Sequence, residues 1–228
     1  MRLEHLQQVI GVSFKDPSLL EQALIHDSYV NENPGLANSS NERMEFLGDA
    51  VIGLIIARKL YLDFPDHPEG KLTHIRAALV KRETLASVAE SIGLGEYLYL
   101  GKGEEASGGR KKVPNLGGAL EAVIGAVYLD RGMREAAACV LRLMQAEYDR
   151  VMEEGISPDY KTQLQHYLQG KYQQIPVYSL VNMTGPDHDR WFTIEVKMGN
   201  EVLGQGAGKS KKAAESEAAR DALSRLQP

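Results

Sequence analysis

The stretch Asn41-Glu42-Arg43-Met44-Glu45-Phe46-Leu47-Gly48-Asp49-Ala50, continuing as Val51-Ile52-Gly53-Leu54-Ile55-Ile56-Ala57, decides how the chain is read. Its apolar residues predict a helix, on which the carboxylates of Glu42, Glu45 and Asp49 fall at i, i+3 and i+7 along one face. The remainder is apolar nearly all round, which predicts a buried element. Like charges one turn apart repel, and unpaired carboxylates are costly to bury. A cation, most simply a hard divalent metal, offsets that cost. The plainer reading leaves Glu42 and Glu45 in the first turn, facing the helix dipole and solvent. Asp49, among Phe46, Ala50, Ile52 and Gly53, is expected deep in the apolar part and favours the metal.

Outward from this helix, the composition is that of an ordinary globular protein: 228 residues, 43% hydrophobic and 25% charged. Cys139 is the single cysteine, which excludes a disulfide framework and a cysteine metal site and fits a reducing, cytoplasmic setting. In Glu135-Ala136-Ala137-Ala138-Cys139-Val140-Leu141 an inert buried thiol is expected. The first residues lack the apolar core of a signal peptide, and no apolar run approaches the ~20 residues of a membrane span. Net charge is −5, yet it is unevenly placed. Residues 1–156 carry 17 Lys and Arg against 23 Asp and Glu, whereas residues 157–228 carry 9 against 8, with Lys209, Lys211 and Lys212 clustered. Local basic patches, not net charge, decide phosphate binding.

The periodicity divides the chain. Residues 1–154 read as an all-α domain, with helices expected at Leu72–Gly93, Leu116–Asp130 and Met133–Met152 besides the acidic one. Segment 31–40 is a polar loop whose Ser40 or Asn41 can cap the acidic helix. Gly101–Pro114 is a second loop, in which Gly108-Gly109-Arg110-Lys111-Lys112 reads equally as a solvated turn or a phosphate contact. Residues 155–158 (Gly-Ile-Ser-Pro) read as a linker. Residues 159–228 then form an α+β domain of order α-β-β-β-α. Its helices are expected at Tyr160–Tyr172 and Lys211–Leu226, and its strands at Val177–Met183, Trp191–Met198 and Glu201–Gly206.

Gly206-Ala207-Gly208-Lys209-Ser210-Lys211-Lys212 places lysines at a helix start, where free N–H groups and the dipole already favour anions. Together with Tyr160-Lys161-Thr162-Gln163-Leu164-Gln165, Gly185-Pro186-Asp187-His188 and Ala218-Ala219-Arg220-Asp221-Ala222-Leu223, it closely resembles a double-stranded-RNA-binding domain. The resemblance implies that Thr162, Gln165, His166 and Gln169 lie along one minor groove and that His188 enters a second. Lys209, Ser210, Lys211 and Lys212 would grip phosphates across the major groove between them, reading A-form shape more than sequence.

The acidic stretch resembles the defining motif of bacterial ribonuclease III. Ala23-Leu24-Ile25-His26-Asp27-Ser28-Tyr29, Pro68-Glu69-Gly70-Lys71-Leu72-Thr73, Gly101-Lys102-Gly103-Glu104 and Ala119-Leu120-Glu121-Ala122-Val123-Ile124-Gly125-Ala126 match the family in order. The resemblance implies Mg²⁺-dependent hydrolysis of both strands of duplex RNA, with Mn²⁺ a possible substitute, in processing of rRNA and mRNA precursors. It also implies 5′-phosphate and 3′-hydroxyl ends. By position, Glu45, Asp49 and Glu121 would be the catalytic metal-holding residues, Glu42 and Glu69 accessory acids lining the cleft, and Phe46 a dimer-interface residue of a homodimer. One position departs: the family usually carries aspartate three residues before the later glutamate, and here that residue is Gly118. The alternative is therefore a duplex-RNA-binding protein with weak or no cleavage.

Overall fold

The computed structural model describes residues 2–35, 39–154, 160–186 and 190–226, which fall into two compact units, Met1–Ile156 and Ser157–Pro228. The linker expected at 155–158 and His188 lie outside the described residues.

The first unit is helical: α1 Arg2–Ile10, α2 Pro17–Ala23, α3 Asp27–Glu32, α4 Glu42–Asp63, α5 Glu69–Val80, α6 Arg82–Ser91, α7 Lys102–Ala106, α8 Val113–Leu143 and α9 Gln145–Glu154. Local chemistry sets several of these limits. Asp16 accepts from Ser18 N ahead of Pro17, capping α2. The single helix expected at Leu72–Gly93 is instead two, because Lys81 is extended (φ −64, ψ 150). The two expected at Leu116–Asp130 and Met133–Met152 are regrouped. Gly132 (φ 78, ψ −179) kinks α8 where the break was anticipated, and a further break precedes Gln145. The 101–114 loop carries α7 and a 3-10 turn, Gly109–Lys111. Arg110 is turned inward: Nη1 donates to the carbonyls of Gly95 and Leu98, and Nη2 pairs with Glu105 at 2.6 Å. Lys112 pairs with Glu104 at 2.9 Å, so these two cations brace the fold, while Lys111 between them is exposed.

The core is the crossing of α4 and α8. Met44, Gly48, Val51, Ile52, Ile55, Ile56 and Leu60 bury one stripe of α4 against the continuous buried run Leu116–Val127 of α8. Glycine on both helices lets the backbones meet. A Cβ on Gly48 would lie 1.7 Å from the carbonyl oxygen of Glu121, and one on Gly125 would lie 2.4 Å from that of Met44. This approach places Glu121 beside the acidic face of α4. Two expectations about α4 need correction. The helix is not buried all round, since Phe46, Leu54 and Tyr61 are 80%, 57% and 72% exposed along one side. Neither Ser40 nor Asn41 caps it: Asn41 is buried with its amide donating to the Ala23 carbonyl, and Ser40 Oγ donates to Glu42. Cys139 is buried as expected, its thiol pushed up to about 11 by burial.

The second unit comprises α10 Tyr160–Tyr172, β1 Val177–Thr184, β2 Trp191–Met198, β3 Glu201–Gly208 and α11 Lys211–Leu226, the α-β-β-β-α order expected. The strands form one antiparallel sheet, β1-β2-β3, with a bulge between Leu180 and Asn182. Leu164 and Leu168 of α10, Ile194 and Val196 of β2, Leu203 of β3 and four alanines of α11 share its core. Only small residues permit that packing: a Cβ on Gly206 would stand 2.1 Å from Ala218 N. Lys161 ties α10 to α11 through Glu215 (2.7 Å) and lies over the Tyr178 ring.

Candidate active site and nucleic-acid interface

An open cleft of about 450 Å³ lies where α4 crosses α8, walled by Glu42, Glu45, Phe46, Asp49, Arg82 and Glu121. The structure thus brings together four acids that the sequence separates by up to 79 positions. Their environments differ. Glu121 is 7% exposed, whereas Asp49 is exposed, which reverses the expectation that Asp49 is the deeply set acid. The reason is rotational: the buried stripe of α4 runs through Gly48, Val51 and Ile52, leaving Asp49 at its edge. Burial, then the charges of Asp49 and Glu45, push the Glu121 carboxyl up to about 7, against the opposing pull of Arg82.

Glu45 is half-buried, with Oε1 3.4 Å from Nη2 of Arg82. Glu42 is exposed and accepts from Ser40 Oγ at 2.9 Å. Glu69, expected along the cleft, does not line it. It is exposed in the first turn of α5 and accepts from Thr73 Oγ1 of its own helix. Gly118 forms part of an adjoining cleft of about 160 Å³ that also includes His26, Asn41, Asn115, Glu45 and Arg82. Arg82 was not anticipated from the sequence, since its partner lies 37 positions away and no local spacing signals it.

The wall of the larger cleft offers only carboxylate oxygens as ligands, the hard donor set of Mg²⁺ or Mn²⁺. Among the described residues, no three His, Cys, Asp or Glu side chains converge tightly enough to enclose an ion. The residues therefore fit a cation that keeps much of its water shell, as Mg²⁺ commonly does.

A raised carboxylate pKa has a definite signature. A proton held more tightly when folded stabilises below the ordinary value of 4.5, and that contribution is lost as pH climbs through about 7. In metal-free buffer, Glu121→Gln should therefore gain in Tm relative to the unchanged chain between those pH values. Scanning calorimetry across the range checks this, and a pH-independent difference contradicts it.

In the second unit, Gln165, His166 and Gln169 form an exposed row on α10, with Thr162 half-buried on the same helix. Lys209, Ser210, Lys211 and Lys212 are exposed at the start of α11, where Ser210 Oγ accepts from Ala213 N and caps the helix.

Comparison with known proteins assigns both units. Residues 16–147 match the family model described as ribonuclease-III-like, and residues 160–226 match the double-stranded RNA binding motif. The chain is 51% identical over 225 residues to ribonuclease 3 of Dehalococcoides mccartyi strain CBDB1, covering 99% of this chain and 95% of that protein. The chain belongs to the ribonuclease III family. Ribonuclease 3 of Syntrophobacter fumaroxidans is 44% identical, with coverage of 97% and 93%. Among solved structures, the nuclease domain of ribonuclease III from Campylobacter jejuni superposes with a TM-score of 0.58 at 40% identity, covering 63% of this chain and 94% of that one. The acid cleft falls within the span that matches the ribonuclease-III-like model, and the lysine run within the span that matches the double-stranded RNA binding motif.

Proposed function

We propose that the chain is an endoribonuclease that hydrolyses double-stranded RNA, with residues 1–154 as the nuclease, 155–158 as the connecting segment and 159–228 as the duplex-binding domain. The observation that carries this is the cleft walled by Glu42, Glu45, Asp49 and Glu121, in a chain that also bears a double-stranded RNA binding motif. Glu45, Asp49 and Glu121 would hold and orient one or more divalent ions, Mg²⁺ first and Mn²⁺ as substitute. Once bound, the ion supplies an activated water and stabilises charge on the leaving 3′ oxygen. The close crossing at Gly48 fixes Glu121 against α4, and Glu42, on the cleft wall, stands as an accessory acid toward the RNA backbone.

Retention of four acids around one cleft argues against a protein that only binds RNA, because such a protein has no use for mutually repelling carboxylates. Phe46, with Leu54 and Tyr61, supplies the exposed apolar side of α4 for a homodimer. A Campylobacter jejuni ribonuclease III nuclease-domain structure, 39% identical, is described as showing flexibility in a region involved in dimer formation. No helix among the described residues is long and apolar enough to cross a membrane, and a cytoplasmic role in maturing rRNA and mRNA precursors fits the lone buried cysteine. The test is to offer duplex and single-stranded RNA of one sequence with Mg²⁺. Cutting of the duplex alone, stopped by chelator, is expected; equal cutting of both overturns the reading.

Thr162, Gln165, Gln169 and His188 would contact minor grooves, and Lys209, Ser210, Lys211 and Lys212 the phosphates. Replacing Lys211 and Lys212 together with alanine should weaken binding to every duplex sequence alike and reduce the salt slope by roughly two. Filter binding over a salt series measures both, and an effect confined to particular sequences would count against phosphate contact.

A further inference from the structure

Arg82, the first residue of α6, reaches α4 through Glu45, and both side chains rest on α8 where α8 carries glycine. A Cβ on Gly117 would lie 3.0 Å from Cγ of Arg82 and 3.2 Å from its carbonyl oxygen. A Cβ on Gly118 would lie 2.7 Å from Oε2 of Glu45 and 2.8 Å from its Cδ. Gly117-Gly118 is thus a floor under an ion pair: a larger residue at 118 would push the Glu45 carboxylate aside, and one at 117 would crowd Arg82 by a few tenths of an ångström. The Glu45 carboxylate occupies the room that a side chain at 118 would need. Arg82 lines both clefts, and among the described residues walling the larger one it is the sole cation.

We propose that Arg82 is a positioning residue for Glu45 and the resident counter-cation of the cleft. It draws the Glu45 carboxylate down over Gly118, so a divalent ion must compete with the guanidinium for Glu45. Affinity for the ion is thereby set below what the four carboxylates alone would give. This inference rests on the reading of the cleft as a metal site. It also assigns Gly118 a consequence beyond the loss of one ligand: the same glycine makes room for the pair.

The test is calorimetric titration of Mn²⁺ into the full chain and its variants without RNA, so that no readout depends on cleavage. Arg82 is more than half exposed, and its replacement leaves the core untouched. Arg82→Ala should tighten the Mn²⁺ Kd roughly fivefold, the scale of an exposed ion pair. Arg82→Lys, which keeps the charge, should return the Kd to within about twofold of the unchanged chain. In Gly118→Ala the new Cβ displaces the Glu45 carboxylate, so adding Arg82→Ala to that variant should change the Kd by clearly less than it does with glycine at 118. A Kd that stays level or weakens in Arg82→Ala overturns the proposal. An equal Arg82→Ala effect with Gly118 or Ala at 118 also overturns it, since Arg82 would then act on the cleft without Glu45. Absence of Mn²⁺ binding in every protein, the unchanged chain included, would instead sink the metal reading itself.

Discussion

Glu121→Gln should lower the single-turnover rate of duplex cleavage by on the order of 10³-fold or more, while duplex affinity stays within about twofold. The substitution keeps the shape of the side chain and removes only the charge. Glu121 is the buried acid of the cleft, held against α4 by the glycine crossing, and its neighbours Asp49 and Glu45 already repel its ionised form. On the proposed reading a cation relieves that tension, and a neutral amide would remove the ligand and the reason for the arrangement together. The double-stranded RNA binding motif lies in the other compact unit, so duplex affinity is expected to hold. Parallel loss of cleavage and binding, with a lowered Tm, would show Glu121 to be structural instead.

Gly48→Ala should be the most damaging small substitution in the chain, costing about 3 kcal/mol or more and lowering the Tm of the nuclease unit by roughly 10 °C. The added methyl meets backbone, not a movable side chain: it would sit 1.7 Å from the Glu121 carbonyl oxygen, which only separation of α4 from α8 can relieve. Those two helices carry the acids, so cleavage should fall with stability. Gly53, one turn and a residue further along α4, is the control. A Cβ there meets nothing within 4 Å. Since alanine is favoured over glycine inside a helix by about 0.5–1 kcal/mol, Gly53→Ala should hold or raise the Tm. Equal melting of the two variants would refute the close-crossing account.

The same pair of glycines shows where reading a sequence stops. Both stand in an apolar helical pattern, and spacing alone marks them as equivalent weak points; only the position of α8 separates them. Elements set by local periodicity were legible: α10 and α11 and the strand Trp191–Met198 have the limits that alternation and helical spacing imply. The third strand runs two residues further than its pattern suggested, because the glycines ending it pack against α11 and carry no side-chain signal. The break at Lys81 has neither glycine nor proline to announce it. The acidic face of α4 was legible as a face, yet its depth was not. Rotation of the helix in the core left Asp49 exposed, and the buried acid came from α8. Arg82 was invisible for the same reason, its chemistry depending on a contact across 37 positions.

The central claim is tested most directly by end-group analysis of a perfect RNA duplex, labelled on both strands, after incubation with the unchanged chain and Mg²⁺. Cleavage of both strands to 5′-phosphate and 3′-hydroxyl ends is the predicted result. A duplex that is bound but left intact in Mg²⁺ and in Mn²⁺ would contradict it.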